Sequence, residues 1–338
     1  MAEGLTDVVC AACGARTSVP LEGAGRFVVK CRACGKRGVV DVAPEARTRG
    51  RPAELKRVAR FTASPVFERI YHRLEDVSSH VPANRWEIVG VYFGVTALAE
   101  AAVYVNPYYG FLLHAVVLFG LLIHAGALWN RSEPLSRLAV AISVLPVIRL
   151  VSLAIPLSQF SFLQWFLILG VVVSLATITA LGVLGESARA MGLRASEPRH
   201  RALEIGVVAL GVPLGLIEYH ILAPSALVPN ASLPALVGPA LMMIVFGGVL
   251  EELIYRGLLL RTLLGPFGTA GAVAIPALAN AILAIAYGSA AMVFVVLVAG
   301  LAFGLVARRT GSVVGVGLSH GVANTLLFVV LPVTGMPF

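Results

Sequence analysis

Residues 236–264 read LVGPALMMIVFGGVLEELIYRGLLLRTLL, an apolar run that is long enough to cross a membrane but is interrupted by charge. A helix crosses a hydrocarbon core with about 20 apolar residues. Glu251, Glu252 and Arg256 stand inside this run, and ionisable groups at that depth are costly unless they face one another, water or a substrate. The run therefore predicts a membrane-spanning helix whose charged residues have a functional role.

A second polar pair stands in the last apolar run of the chain. His320 and Asn324 are four residues apart, so a helix places them on the same face. Together with the three charged residues of the first run, they predict a polar reaction chamber inside the bilayer.

The composition excludes an ordinary soluble domain. Mean hydropathy is +0.88, 58% of the residues are hydrophobic and only 13% are charged. We expect an all-α polytopic membrane protein with about nine spanning helices. The nine segments lie near residues 86–105, 109–129, 135–157, 160–184, 203–222, 236–263, 270–287, 290–307 and 313–334.

The charge pattern predicts the orientation. Residues 1–85 hold 15 of the 26 Lys and Arg residues, which predicts a cytoplasmic segment that faces anionic lipid. The first 50 residues lack the apolar core of a signal peptide, so we expect the N-terminus to stay in the cytoplasm. The remaining loop arginines follow the second, fourth, sixth and eighth predicted spans, which places the N-terminus inside and the C-terminus outside. We expect a prokaryotic plasma membrane, and no nucleic-acid partner because aromatics are poorly interleaved with the basic residues.

The N-terminal segment carries all four cysteines of the chain. Cys10 and Cys13 form one CxxC pair, and Cys31 and Cys34 form a second after seventeen intervening residues. This is the spacing of a four-thiolate zinc ribbon, which we place at residues 1–43. Four cysteine ligands leave no open coordination position on the metal, so we expect a structural Zn²⁺. The surface of the ribbon is available for a cytoplasmic protein partner.

Composition divides the rest of the chain into three parts. Residues 44–85 are rich in Arg, Pro and Gly and then show one apolar face, which predicts a basic linker and an amphipathic helix at the membrane surface. A polar loop at 185–202 separates a four-span front half, 86–184, from a rear half, 185–338. Both polar motifs lie in the rear half.

The five polar residues suit the hydrolysis of an amide. On a helix Glu252 and Arg256 can pair, whereas Glu251 points about 100° away and can act as a base on water. His320 and Asn324 can both present N–H donors to an oxyanion. The alternative is structural, because an ion pair can neutralise itself and a His–Asn pair can bridge two helices. One His, one Asn and two Glu form an incomplete zinc site, which leaves a catalytic metal open.

The same residues resemble a known family. Residues 251–257 read EELIYRG, which resembles the EExxxRG motif of the CAAX prenyl protease 2 family, also called the CPBP or Abi family of intramembrane proteases. Residues 308–324 read RRTGSVVGVGLSHGVAN and are similar to its closing HxxxN motif with the turn that precedes it. The resemblance covers residues 180–338 approximately.

The resemblance implies a CAAX-protease-like helical bundle and a glutamate-dependent intramembrane endopeptidase of a metalloendopeptidase family. Glu251 would be the base, supported by Glu252 and Arg256, and His320 and Asn324 would stabilise the intermediate. Membrane lipids and a peptide or protein substrate are the implied partners.

One departure from the family pattern bears on activity. The middle motif of the family contains a histidine, but no histidine occurs between Arg256 and His320. The missing residue corresponds to Ala284 or, in another register, to Tyr287. Neither replaces an imidazole near neutral pH. The sequence thus leaves two functions open, a weakened protease or a catalytically inactive scaffold that binds peptide or lipid and recruits partners through the ribbon.

Other polar residues stand in predicted spans. Glu100 and Arg149 lie in different predicted helices of the front half. A pairing between them would lower the free-energy cost of placing each charge inside the membrane. Glu218 and His220 lie in the fifth span, and we carry the hypothesis that one of them replaces the missing histidine.

Overall fold

The computed structural model describes residues 5–9, 16–20, 25–30, 37–42, 84–129 and 132–334. The chain forms two compact units, Met1–His72 and Arg73–Phe338. The predicted linker and amphipathic helix lie outside the described residues up to residue 83.

The first unit contains two antiparallel hairpins. They are formed by β1 (Leu5–Val9) with β2 (Arg16–Pro20) and by β3 (Gly25–Lys30) with β4 (Arg37–Val42). In the sequence, each CxxC pair falls between the two strands of one hairpin. The cysteines themselves lie outside the described residues, so the zinc site stays a prediction.

All regular elements that the structure describes in the second unit are helices. Its α-helices are α1 (Arg85–Val105), α2 (Pro107–Leu128), α3 (Glu133–Ala154), α4 (Phe162–Leu184), α5 (Arg201–Leu222), α6 (Leu233–Met242), α7 (Leu260–Leu283), α8 (Ala290–Thr310), α9 (Val314–Thr325) and α10 (Leu331–Thr334). Wider π-helical turns occupy Met243–Leu250, Leu253–Leu259 and Leu326–Val330, and 3₁₀ turns occupy Pro198–His200 and Ala284–Tyr287.

Within the described ranges, eight helical segments are long and apolar enough to cross a membrane. This confirms the predicted all-α polytopic fold. Seven of the eight correspond to single predicted spans, with ends that differ by a few residues. The eighth, Leu233–Tyr287, is 55 residues long and contains both the sixth and the seventh predicted spans.

The 55-residue segment turns back on itself at Gly268. A straight helix of that length would extend about 80 Å, far beyond a hydrocarbon core of about 30 Å. Gly268 has φ 65° and ψ −172°, a left-handed conformation that residues with a Cβ avoid. The helical path is therefore broken at this residue, although hydrogen bonding continues on both sides.

Helix α1 runs alongside the part of the segment that follows the bend. Near the start of α1, the ring of Trp86 packs edge-to-face on Phe267 with centroids 4.8 Å apart. Near its other end, the ring of Tyr104 lies against the backbone of Gly288. The stretch from the bend to Tyr287 thus crosses the same thickness as α1, as expected for a separate span.

Glycines bring the helices of the rear half into close contact. A Cβ at Gly215 would lie 2.7 Å from the carbonyl oxygen of Ala323, and one at Gly321 would lie 2.6 Å from Cα of Ile244. Such spacing is available only to residues without side chains, which are common where membrane helices cross. Helix α9 is consequently held between α5 and the π-helical segment Met243–Leu250.

A buried ion pair joins helices of the front half. Arg149 on α3 donates from Nε to Glu100 Oε1 at 2.8 Å, and its Nη2 lies 2.7 Å from Oε2. Glu100 is fully buried on α1. The predicted Glu100–Arg149 pairing is confirmed. Arg149 Nη2 also donates to the carbonyl of Leu283 at 2.7 Å, which ties the front half to the end of α7.

Candidate active site

Glu252 and Arg256 form a buried ion pair at the centre of the rear half. Arg256 Nη1 donates to Glu252 Oε1 at 2.8 Å, and the two side chains are 1% and 0% exposed. The guanidinium also lies over the rings of Tyr255 and Phe303, at 5.5 and 5.9 Å from their centroids. The pairing expected from the four-residue spacing is confirmed, and its aromatic surroundings keep it dry.

His320 joins this pair from α9. Its Nδ1 lies 2.9 Å from the same Oε1 of Glu252 that accepts from Arg256. An ionised carboxylate can only accept hydrogen bonds, so Nδ1 carries a proton and donates it. This contact fixes the orientation of the imidazole, and it turns Nε2 away from Glu252.

Glu251 faces the other edge of the same imidazole. His320 Nε2 lies 3.9 Å from Glu251 Oε2, a separation that is longer than a direct hydrogen bond. The Glu251 side chain is 37% exposed, in contrast to the fully buried Glu252 next to it in the sequence. The two adjacent carboxylates therefore have different environments, one enclosed and paired and the other open to a cavity.

Asn324 lies one helical turn after His320. Its Nδ2 donates to the carbonyl of Gly247 at 2.9 Å, across to the π-helical segment that precedes Glu251. The side chain is positioned by this bond, which uses one of its two N–H groups. Asn324 and His320 share a face of α9, as their spacing predicts.

The five predicted residues line one cavity of about 370 Å³. The cavity is enclosed by the rear-half helices together with α3 and α4 of the front half. Its walls are mainly apolar and aromatic, formed in part by Phe162, Trp165, Phe166, Phe246 and Phe328. Acidic and imidazole groups far apart in the sequence thus converge on a shared pocket.

One further acidic residue and one further basic residue of this cavity, among those described, lie outside both motifs. Glu218 on α5 and Arg149 on α3 line it, whereas His220 points away and is exposed. From the sequence, Glu218 was one of two residues considered as a replacement for the missing histidine. Arg149 was predicted only as the ion-pair partner of Glu100. The aromatic side chains that α4 contributes to the cavity wall were not predicted. The aromatic run Phe162-Leu-Gln-Trp165-Phe166 in the sequence could have indicated them.

Both residues that the sequence offered as counterparts of the family histidine lie at the cavity wall. Ala284 and Tyr287 begin and end the 3₁₀ turn after α7, and both line the cavity. Ala284 is buried, whereas Tyr287 is exposed. Among the described residues, no group of three or more His, Cys, Asp or Glu side chains is arranged to hold a metal.

Comparison with known families supports the resemblance. Residues 233–326 match the family model described as Rce1-like, Type II CAAX prenyl endopeptidase Rce1-like. The match contains both motifs and ends before the last π-helical turn is complete. No significant match was found among curated proteins or solved structures. This part of the chain is thus similar to a membrane endopeptidase of the CAAX protease type, while Arg149 and Glu218 lie outside the matched residues.

Proposed function

We propose that the protein is an intramembrane endopeptidase in which Glu251 activates water for attack on a peptide bond. The observation that carries the proposal is the contrast between Glu251 and Glu252. One carboxylate is open to a cavity of about 370 Å³, and its neighbour is fully buried and contacts both His320 and Arg256.

Charge balance supports a defined role for each group. Glu251 and Glu252 carry two negative charges, and Arg256 with a doubly protonated His320 carries two positive charges. Charges in a low-dielectric site are retained when they are paired in this way. His320 then presents an Nε2–H donor to the cavity, and Glu251 remains a free acceptor.

The reaction follows from this arrangement. A water held beside Glu251 gives a proton to its carboxylate, and the oxygen forms a bond to the carbonyl carbon of the substrate. The oxyanion that develops accepts a hydrogen bond from His320 Nε2, with the second N–H of Asn324 as a further donor. The C–N bond then breaks, and the leaving nitrogen takes up a proton.

A second candidate is a catalytically inactive scaffold. The lack of a histidine between Arg256 and His320 favours it, because neither Ala284 nor Tyr287 can replace an imidazole near neutral pH. In that case the cavity would hold a peptide or lipid, and the N-terminal segment would recruit a cytoplasmic partner. The hairpins that enclose the two CxxC pairs in the sequence are consistent with a structural zinc ribbon in either case.

The experiment that separates the two uses purified full-length protein in detergent. It is incubated with a mass-spectrometric peptide library that includes farnesylated and unmodified cysteine peptides. We expect cleavage by the wild type and at least about a 100-fold loss in Glu251→Gln.

Glu197→Gln is the matched control, because Glu197 is an exposed carboxylate in a loop far along the chain from both motifs. It should cleave as the wild type does. Binding of library peptides without any cleavage by the wild type would support the scaffold instead.

A further inference from the structure

Hydrolysis of an amide requires a proton for the leaving nitrogen as well as a base for water. We propose that Glu218, on α5, supplies that proton as a neutral carboxylic acid. The inference rests on the proposed function and adds a catalytic residue that lies outside the matched family region and outside both motifs.

The packing of α5 brings Glu218 to the cavity. Gly211 and Gly215 let α5 approach the backbone of α9 at Ser319 and Ala323. Glu218 lies on the same face as these glycines, seven and three residues further along the helix. In the same register Glu218 lies one turn beyond Gly215, past Ala323, and it lines the cavity that also contains His320 and Glu251.

Glu218 is buried, and its Oε2 has no hydrogen-bond partner among the described residues. The residue is 4% exposed. An ionised carboxylate in this state would carry a large desolvation cost that the neutral acid avoids. A structural carboxylate would be expected to have a cation or a donor beside it, as Glu252 and Glu100 do.

The other charges of the cavity balance without Glu218. Arg256 and His320 compensate Glu252 and Glu251, and Arg149 is paired with Glu100. Among the described residues that line the cavity, no cation is left for an ionised Glu218. The charge inventory thus assigns it a proton, which is the state that a general acid needs before the C–N bond breaks.

The proton steps balance over one turnover. Water gives one hydrogen to Glu251 and its hydroxyl to the acyl carbon. The C–N bond breaks as Glu218 gives its proton to nitrogen, and the amine leaves. Glu251 then passes its proton to Glu218 through water in the cavity that both residues line. Both carboxyl groups return to their starting states with one water consumed.

The test compares two substrates that share one acyl peptide. One is the peptide amide, whose leaving nitrogen needs a proton, and the other is a nitrophenyl ester, whose leaving group does not. We expect Glu218→Gln to lose about 100-fold or more in kcat on the amide and to keep most of its activity on the ester. Activity on the ester also shows that the variant is folded.

Two further variants complete the experiment. Glu204→Gln is the control, because Glu204 is a partly buried carboxylate in the first turn of the same helix and does not line the cavity. It should keep both activities. In Glu218→Ala, which leaves a space, added formic acid should restore cleavage of the amide.

The outcomes distinguish the two proposals. Equal loss on amide and ester, or no loss on either, would overturn the role of Glu218 and leave Glu251-dependent hydrolysis standing. Absence of amide cleavage by the wild type would overturn both.

Discussion

At the scale of the residue, two neighbouring glutamates have different surroundings in the candidate site. Glu251 is open to the cavity, and Glu252 is enclosed with Arg256 and His320. The π-helical turns on both sides of the pair widen the helix here, and such turns are frequent at functional sites. A difference in environment, not in chemistry, sets the two carboxylates apart.

The same substitution should therefore have unequal effects on stability at the two positions. Glu252→Gln leaves the Arg256 guanidinium buried without a counter-charge, and we expect it to lower the free energy of unfolding by about 3–5 kcal/mol. Glu251→Gln should change stability little, because its side chain faces the cavity. Unfolding of both variants in detergent micelles by denaturant measures the difference.

A double variant sharpens this prediction. Glu252→Gln combined with Arg256→Met removes both charges, and stability should recover relative to Glu252→Gln alone. If the single variant is as stable as the wild type, the ion pair is not buried as described.

At the scale of the element, glycine contacts decide how the helices meet. Gly321 on α9 approaches the backbone of Ile244 so closely that a methyl group has no space. Gly321→Ala should separate the two helices and cost about 1–3 kcal/mol of stability. Because His320 is the adjacent residue, peptidase activity should fall as well.

Gly94 provides the comparison for this substitution. It lies in α1, and nothing lies within 4 Å of a Cβ added there. Gly94→Ala should be neutral or stabilising by up to about 1 kcal/mol, since alanine favours helix. Thermal unfolding of the two variants side by side tests the packing, and equal Tm values would contradict it.

The sequence predicts some parts of the site well and others poorly, for physical reasons. The Glu252–Arg256 pair follows from helical spacing alone. The contact between Glu252 and His320 joins residues that are 68 positions apart in the chain, and it depends on tertiary packing. The sequence predicted it only through the rule that ionisable groups inside a membrane need partners. The π-helical turns leave no clear pattern in hydropathy, whereas the bend at Gly268 falls in the gap between the sixth and seventh predicted spans.

The contribution of the front half shows the same limit. Arg149 was expected to pair with Glu100, and it does, but its place on the cavity wall depends on how α3 packs against α7. The aromatic wall from α4 likewise belongs to a segment outside the family match. Apolar spans of this kind carry too little pattern to predict which face meets a neighbouring helix.

At the scale of the whole molecule, the bend at Gly268 determines the topology. Seven candidate single spans and one segment long enough to cross twice predict nine crossings over the described residues, which would put the two ends of this helical unit on opposite sides of the membrane. The loop arginines predict that the N-terminal side faces the cytoplasm. That orientation would put the two CxxC pairs in a reducing compartment, which suits zinc thiolates.

Terminal tags measure this topology. In intact cells we expect a tag after Phe338 to be cleaved by added protease and a tag before Met1 to be cleaved only after lysis. Accessibility of both tags, or of neither, would contradict an odd number of crossings.

The central claim is that water activated by Glu251 cleaves a peptide bond within this cavity. The most direct measurement is hydrolysis of a library peptide in water labelled with heavy oxygen, followed by mass spectrometry of both products. The account predicts one labelled oxygen in the new carboxyl terminus in a single turnover of the wild type, and no such product from Glu251→Gln. Labelled product formed at an undiminished rate by Glu251→Gln would contradict it.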